Sequence, residues 1–170
     1  MLLKLSKYTA ILVILNSSLT HAQNCEIPIK ELKVGSITVL QNLQSFKKIH
    51  ENIEVEKDRI NVLGGTDYSF ALEGVMYVTH VDYDSLNDRV IGFSLTYANG
   101  KYGSFDTPIH VFKENVLSGG NLPKNNWVLT RTDGIQAYRY SCNDYKIFIN
   151  QDPERSGPTL NLFSRYSDSF

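Results

Sequence analysis

Residues 75–97 read VMYVTHVDYDSLNDRVIGFSLTY. Val75 to Tyr83 is rich in β-branched and aromatic residues, which suit a pleated, half-buried surface. Asp84-Ser85-Leu86-Asn87-Asp88 follows, a run whose short polar side chains bond their own backbone in turns. Arg89 to Tyr97 then returns as a second strand. This is a β-hairpin. In the return strand Ile91, Phe93, Leu95 and Tyr97 fall on one side, and Gly92, Ser94 and Thr96 on the other. The second side is small and polar, so the strand is expected to have one wet face.

Working outward, Asn99-Gly100 is a further turn signal. Upstream, Tyr68, Phe70 and Leu72 alternate with Ser69, Ala71 and Glu73, as in a strand, after the turn Gly64-Gly65-Thr66-Asp67. Before it, Ile53, Val55 and Lys57 alternate with Glu54, Glu56 and Asp58, as in an edge strand. The first helix is predicted from a Ser36 N-cap to His50. Ile37, Leu40, Leu43, Phe46 and Ile49 recur every third residue along it. A second helix is predicted over 107–118. Pro108 sits at the first helical position, Ile109, Phe112, Val116 and Leu117 form one stripe, and Gly119-Gly120 supplies a left-handed cap.

Four short β-runs close the chain: 127–131, 136–142, 145–150 and 159–165. They are divided by Thr132-Asp133-Gly134, Asn143-Asp144 and the stretch Asp152 to Pro158, a pattern of antiparallel strands. The expected class is α+β: antiparallel sheet with two helices packed on one face, in the order helix–meander–helix–meander.

The first 22 residues have a different character. Lys4 and Lys7 precede the short apolar run Thr9 to Leu15, and Thr20-His21-Ala22 offers a cleavage site. This is the layout of a cleaved signal peptide, too short in its apolar part to span a bilayer. Residues 23–170 then form one α+β domain, and the location is periplasmic or secreted. Gln23-Asn24 before Cys25 are too large and polar for a lipoprotein signal, so neither a lipid anchor nor a membrane span is expected.

The whole chain has 170 residues and a formal net charge of −1. Removing Lys4 and Lys7 leaves a mildly acidic domain, which lacks the basic surface a nucleic-acid binder needs. Cys25 and Cys142, the only cysteines, are expected to pair in an oxidising compartment. Such a bridge would leave no thiol for catalysis.

Chemistry-bearing patterns are few. His80, Asp82 and Asp84 project to one side of a strand, and one imidazole with two carboxylates could hold a divalent metal in an exported hydrolase or metal-dependent enzyme. The spacing fails as a calcium loop, since Leu86 takes a ligand position and no Gly follows. His110 and Glu114 lie one helical turn apart without a zinc-protease motif. The chain contains neither a Gly-x-Ser-x-Gly elbow nor a phosphate-binding loop. These patterns favour a non-enzyme with no cofactor and no metal. Trp127, Tyr138, Arg139 and Tyr140, with Asp84, are residue types found at binding hot spots. They mark the expected contact surface for a protein partner, together with the 84–88 and 99–106 loops; the alternative is that the tyrosines belong to a half-buried sheet, since Tyr138 and Tyr140 share a face with Cys142. The sequence thus reads as an exported protein-binding module of the inhibitor or immunity type, with the metal enzyme as the rival.

Overall fold

The structure, a computed structural model, describes residues 23–35, 37–49, 53–62, 71–72, 76–97, 104–132, 134–152 and 156–170. Side chains at 61–62, 71–72, 76–80, 96–97, 152 and 156 lie outside that description. So do the proposed signal peptide and the turns at 64–67 and 99–100.

The hairpin read from residues 75–97 forms as β6 (Met76–Asp84) and β7 (Arg89–Tyr97), antiparallel, with register shifts between Val78 and His80 and between Asp82 and Tyr83. Around it, β3 (Ile53–Glu56), β4 (Arg59–Val62) and β5 (Ala71–Leu72) precede, and β9 (Val128–Thr132), β10 (Ile135–Ser141), β11 (Tyr145–Asp152) and β12 (Ser156–Ser164) follow. The sheet order is β3-β4-β6-β7-β12-β11-β10-β9, with β5 beside β6. Two antiparallel meanders therefore meet through their last strands, β7 and β12. The α+β class holds. A second, three-stranded sheet was not expected: β1 (Lys33–Val34) lies between β2 (Ile37–Thr38) and β8 (Gly120–Asn121).

Registration across the large sheet explains the core. Ile60, Val81, Phe93, Leu162, Ile147 and Tyr140 stand opposite one another in turn, and all are buried. Leu95, Leu160 and Ile149 form the next row, ending at half-buried Tyr138. Burial of such side chains stabilises by about 1.5–3 kcal/mol each, as an upper bound. Helix α2 (Ile109–Gly119) adds Ile109, Phe112, Val116 and Leu117 to this cluster and packs against β10 and β11. Its Lys113 Nζ lies 4.8 Å from the Tyr138 ring centroid, on the core side of the sheet.

Several boundaries differ from the sequence reading. Helix α1 spans only Leu43–Ile49. Ile37 pairs with Val34 in a strand, and Leu40 has φ 67°, which a helix cannot contain. The cap is Asn42, whose Oδ1 accepts the Ser45 N–H at 2.8 Å. A strict three-residue apolar spacing drifts off a 3.6-residue helix, and here only its last part is helical. The stretch from Ile53 is a hairpin turning at Lys57-Asp58, not one edge strand.

Pro108 precedes the first helical residue, with ψ 138°, and Gly120 is extended at φ −126° rather than left-handed. Gly120 is needed for space: a Cβ there would lie 2.8 Å from the Lys33 carbonyl oxygen in β1. Gly92 and Ser94 are buried, not wet. Asp82 Oδ2 and Leu162 O would each lie 2.9 Å from a Cβ at Gly92. The Ser94 hydroxyl donates to Asn161 Oδ1 at 2.6 Å.

Candidate functional site

The expected bridge is present: Cys25 and Cys142 are disulfide-bonded. It is the centre of an N-terminal clasp. The Glu26 N–H donates to Tyr140 Oη at 2.9 Å, and the Tyr145 hydroxyl donates to the Ile27 carbonyl at 3.0 Å. The Tyr140 and Tyr145 rings stack at 5.6 Å, and Trp127 lies 5.9 Å from Tyr140 while its indole N–H donates to the Pro123 carbonyl. The Glu26 carboxylate accepts the backbone N–H groups of Lys124 and Asn125. The Lys124 bond is the main cause of its lowered pKa. Burial drives the Tyr145 phenol upward, helped by Tyr140.

Two residues read as binding types, Trp127 and Tyr140, are thus turned inward, with Tyr140 only 1% exposed. Tyr138 is half-buried on the helix side. Arg139 points the other way. By strand alternation it shares a face with Phe148, Asn161 and Ser94, which stand opposite one another across β10, β11, β12 and β7. The adjoining row is Ser141, Lys146, Phe163 and Gly92. Phe148 and Phe163 are partly exposed, with centroids 6.3 Å apart, and the Arg139 guanidinium lies 5.7 Å from the Phe148 centroid. The sequence reading missed Phe148, Phe163, Lys146 and Asn161. The available signal was the alternation of YKIFIN at 145–150, which sets a large aromatic on the face opposite Tyr145, Ile147 and Ile149.

At the far end of the same sheet, Asp82 and Asp84 open onto a cleft of about 290 Å³ also lined by Asp58, Tyr83, Ile91 and the C-terminal residues 166–169. Asp84 is already engaged. It accepts from Asn87 Nδ2 at 2.8 Å and from Arg89, with the Asn87 bond the first cause of its lowered pKa. Asp88 accepts the Tyr83 hydroxyl at 2.5 Å and the Leu43 N–H at 3.1 Å, and is likewise lowered, chiefly by the Tyr83 bond. Tyr83 is pushed up to about 12, first by burial and then by Asp88. The C-terminal turn is held by the Arg165 N–H on the Asp144 carbonyl, by the Arg165–Asp144 ion pair, and by Arg89 stacked 3.8 Å over the Tyr166 ring.

His80 pairs with Ser94 in register, but its side chain lies outside the described residues. Among the described residues no three His, Cys, Asp or Glu side chains converge as a metal-holding group. His110 is exposed on the first turn of α2. Of the expected contact loops, 84–88 is described, and 99–103 lies outside. No helix among the described residues is long and apolar enough to cross a membrane. Compared with models of known protein families, with curated proteins and with solved structures, the chain matches none.

Proposed function

We propose that this is an exported protein-binding module of the inhibitor or immunity type, working in the periplasm or outside the cell, and that it binds through the sheet face opposite α2. The observation that carries the reading is the set Arg139, Lys146, Phe148, Asn161 and Phe163 on that face. Aromatic rings beside cations and amides are the chemistry of binding hot spots. The reading takes α1 to lie on the same side as α2, leaving this face to a partner. The disulfide supports export, because such bridges persist in oxidising compartments.

The test is capture of a partner from the native envelope fraction and culture fluid by immobilised, oxidised chain from residue 23 onward. A specific partner should be retained by the wild type and lost at least tenfold in a Phe148→Ala, Lys146→Glu variant with an unchanged unfolding midpoint. Capture of nothing, or equal capture by the variant, would refute it.

The rival, a metal-dependent hydrolase using His80, Asp82 and Asp84, draws on the carboxylate-lined cleft. Stoichiometric divalent metal, measured by calorimetry and lost in an Asp82→Ala, Asp84→Ala variant, would favour it.

A further inference from the structure

The two edges of the large sheet differ in chemistry. β3 ends it on one side with Ile53-Glu54-Val55-Glu56, turning at Lys57-Asp58. Charges along an edge discourage pairing with another chain. β9 ends it on the other side with Val128-Leu129-Thr130-Arg131-Thr132. Val128 is 59% exposed, Leu129 42%, and Ile135 on the adjoining strand 43%. Nothing in that strand guards it except one cation.

The hydrogen-bonding groups can be assigned. Thr132 pairs with Ile135, so two residues close the β9–β10 hairpin, and Gly134 takes a left-handed φ of 81°. The closing pair of a two-residue hairpin exchanges both backbone bonds, and bonded pairs then alternate. Val128, Thr130 and Thr132 therefore spend their N–H and C=O groups on β10. Leu129 and Arg131 turn theirs outward, and among the described residues no element pairs with that edge.

Charge selects the occupant. Arg131 is exposed and has no ion-pair partner among the described residues, and Arg139, one strand inward, is exposed above Phe148. β9 and β10 contain no acid. A second copy paired antiparallel about Thr130 would set two Arg131 side chains diagonally on one face, with no acid within β9 or β10 to offset them. A strand with an acid opposite Arg131 meets that cation directly, and another acid three residues on, opposite Val128, lies on the same face and in the same row as Arg139, two strands in from the added one.

We propose that the β9 edge receives an extended, acidic strand of a partner protein, through main-chain bonds to Leu129 and Arg131 and carboxylates facing Arg131 and Arg139. This is strand addition to a sheet edge. It rests on the protein-binding reading and names the chemistry of the partner.

The probe is a capped eight-residue peptide, Thr-Val-Glu-Thr-Val-Glu-Thr-Val, against the same peptide with both Glu replaced by Lys. Anisotropy at low salt should show the Glu peptide binding at least tenfold tighter, and amide exchange at Leu129 and Arg131 should slow when it binds. Leu129→Pro deletes an outward N–H rather than a ladder bond, and should cut binding at least tenfold. Arg131→Glu should invert the preference between peptides, and it keeps the test decisive if Leu129→Pro loses its fold. Equal binding of the two peptides, protection at other amides, or no binding at millimolar peptide would overturn the proposal. So would a concentration-dependent dimer that Arg131→Gln strengthens by removing the Arg–Arg clash, since the edge would then serve a second copy. If the peptide fails while the Phe148-dependent capture survives, only the edge proposal falls; if capture fails as well, both readings fall.

Discussion

The two meanders are matched in strand order but tied down in different ways. The β9–β12 half is held by bonds between distant parts of the chain: Cys25 to Cys142, Glu26 to Tyr140 and Ile27 to Tyr145, at separations of 117, 114 and 118 residues. The β3–β7 half is held near its hairpin tip by carboxylates: Tyr83 to Asp88 and Arg89 to Asp84 are each five residues apart, and Leu43 to Asp88 is 45. Closing a long loop costs more chain entropy than closing a short one. The far closure is covalent and aromatic, and the near one rests on carboxylates that each gather two or more donors.

The largest effect that could break this comparison is loss of the bridge. A Cys25→Ser, Cys142→Ser variant should lose about 4–5 kcal/mol in urea unfolding, from the chain-entropy model for a loop of this length. A loss below about 1 kcal/mol would mean that the tyrosines and Glu26 hold the strap unaided, and the contrast between the halves would fail.

Next in size is Gly92→Ala, where the two halves join. The new methyl would press on the Leu162 carbonyl in β12 and on Asp82. A backbone oxygen cannot move aside as a side chain can, so a cost of about 1–3 kcal/mol is expected. Calorimetry should still give one transition; two would show that the meanders fold separately.

Tyr140→Phe should cost about 1 kcal/mol by removing the acceptor for the Glu26 N–H. The Trp127 emission, 5.9 Å from that ring, should report the loosened strap.

The near tie should show itself in alkali. The Tyr83 pKa rises from 10.0 to about 12 on folding. Between those values the native state keeps a proton that the unfolded state has lost, so stability is intact below pH 10 and falls as pH rises toward 12. Tyr83→Phe should make that decline shallower, with the raised Tyr145 supplying the rest. An unchanged slope would dismiss the raised Tyr83 pKa, which owes first to burial and then to Asp88.

The smallest effect lies in acid. Glu26, Asp84 and Asp88 are all lowered on folding. Their contribution is present above the unfolded values near pH 4 and is lost as pH falls through the folded ones. Glu26→Gln should remove the acid step seen by Trp127 emission while leaving the β6–β7 tip responsive. Glu26 and Asp88 are exposed and Asp84 borders an open cleft, so each step should be small.

Legibility followed the local physics. The β6–β7 hairpin and the last four strands were readable because alternation and turn residues act over a few positions. Stretch 37–49 splits into strand and helix because apolar residues at every third position fit poorly to both. The decision fell to Gly35 and Leu40, at φ 55° and 67°, and to the pairing of Val34 with Ile37. Gly120 is special for space and not for a left-handed cap, and the strand that demands the space, β1, lies more than 80 residues away in sequence. For the site, residue type points to Arg139, Tyr140 and Trp127 together, and strand alternation separates them, since Tyr140 shares the buried face of Cys142 and Arg139 does not. The face carrying Phe148 and Phe163 was within reach of period-two counting.

The sequence by itself determined the α+β class, the β6–β7 hairpin, the second helix and the pairing of the two cysteines, because propensity, alternation and elimination among two thiols need no neighbours. Long-range pairing settles that β7 and β12 join the meanders, that Tyr140 binds the chain's own beginning with Trp127 packed beside it, and that β9 is left as the unguarded edge. Those outcomes depend on which distant strands come into register and which backbone groups they satisfy, and contacts of that kind leave no local mark in the order of the residues.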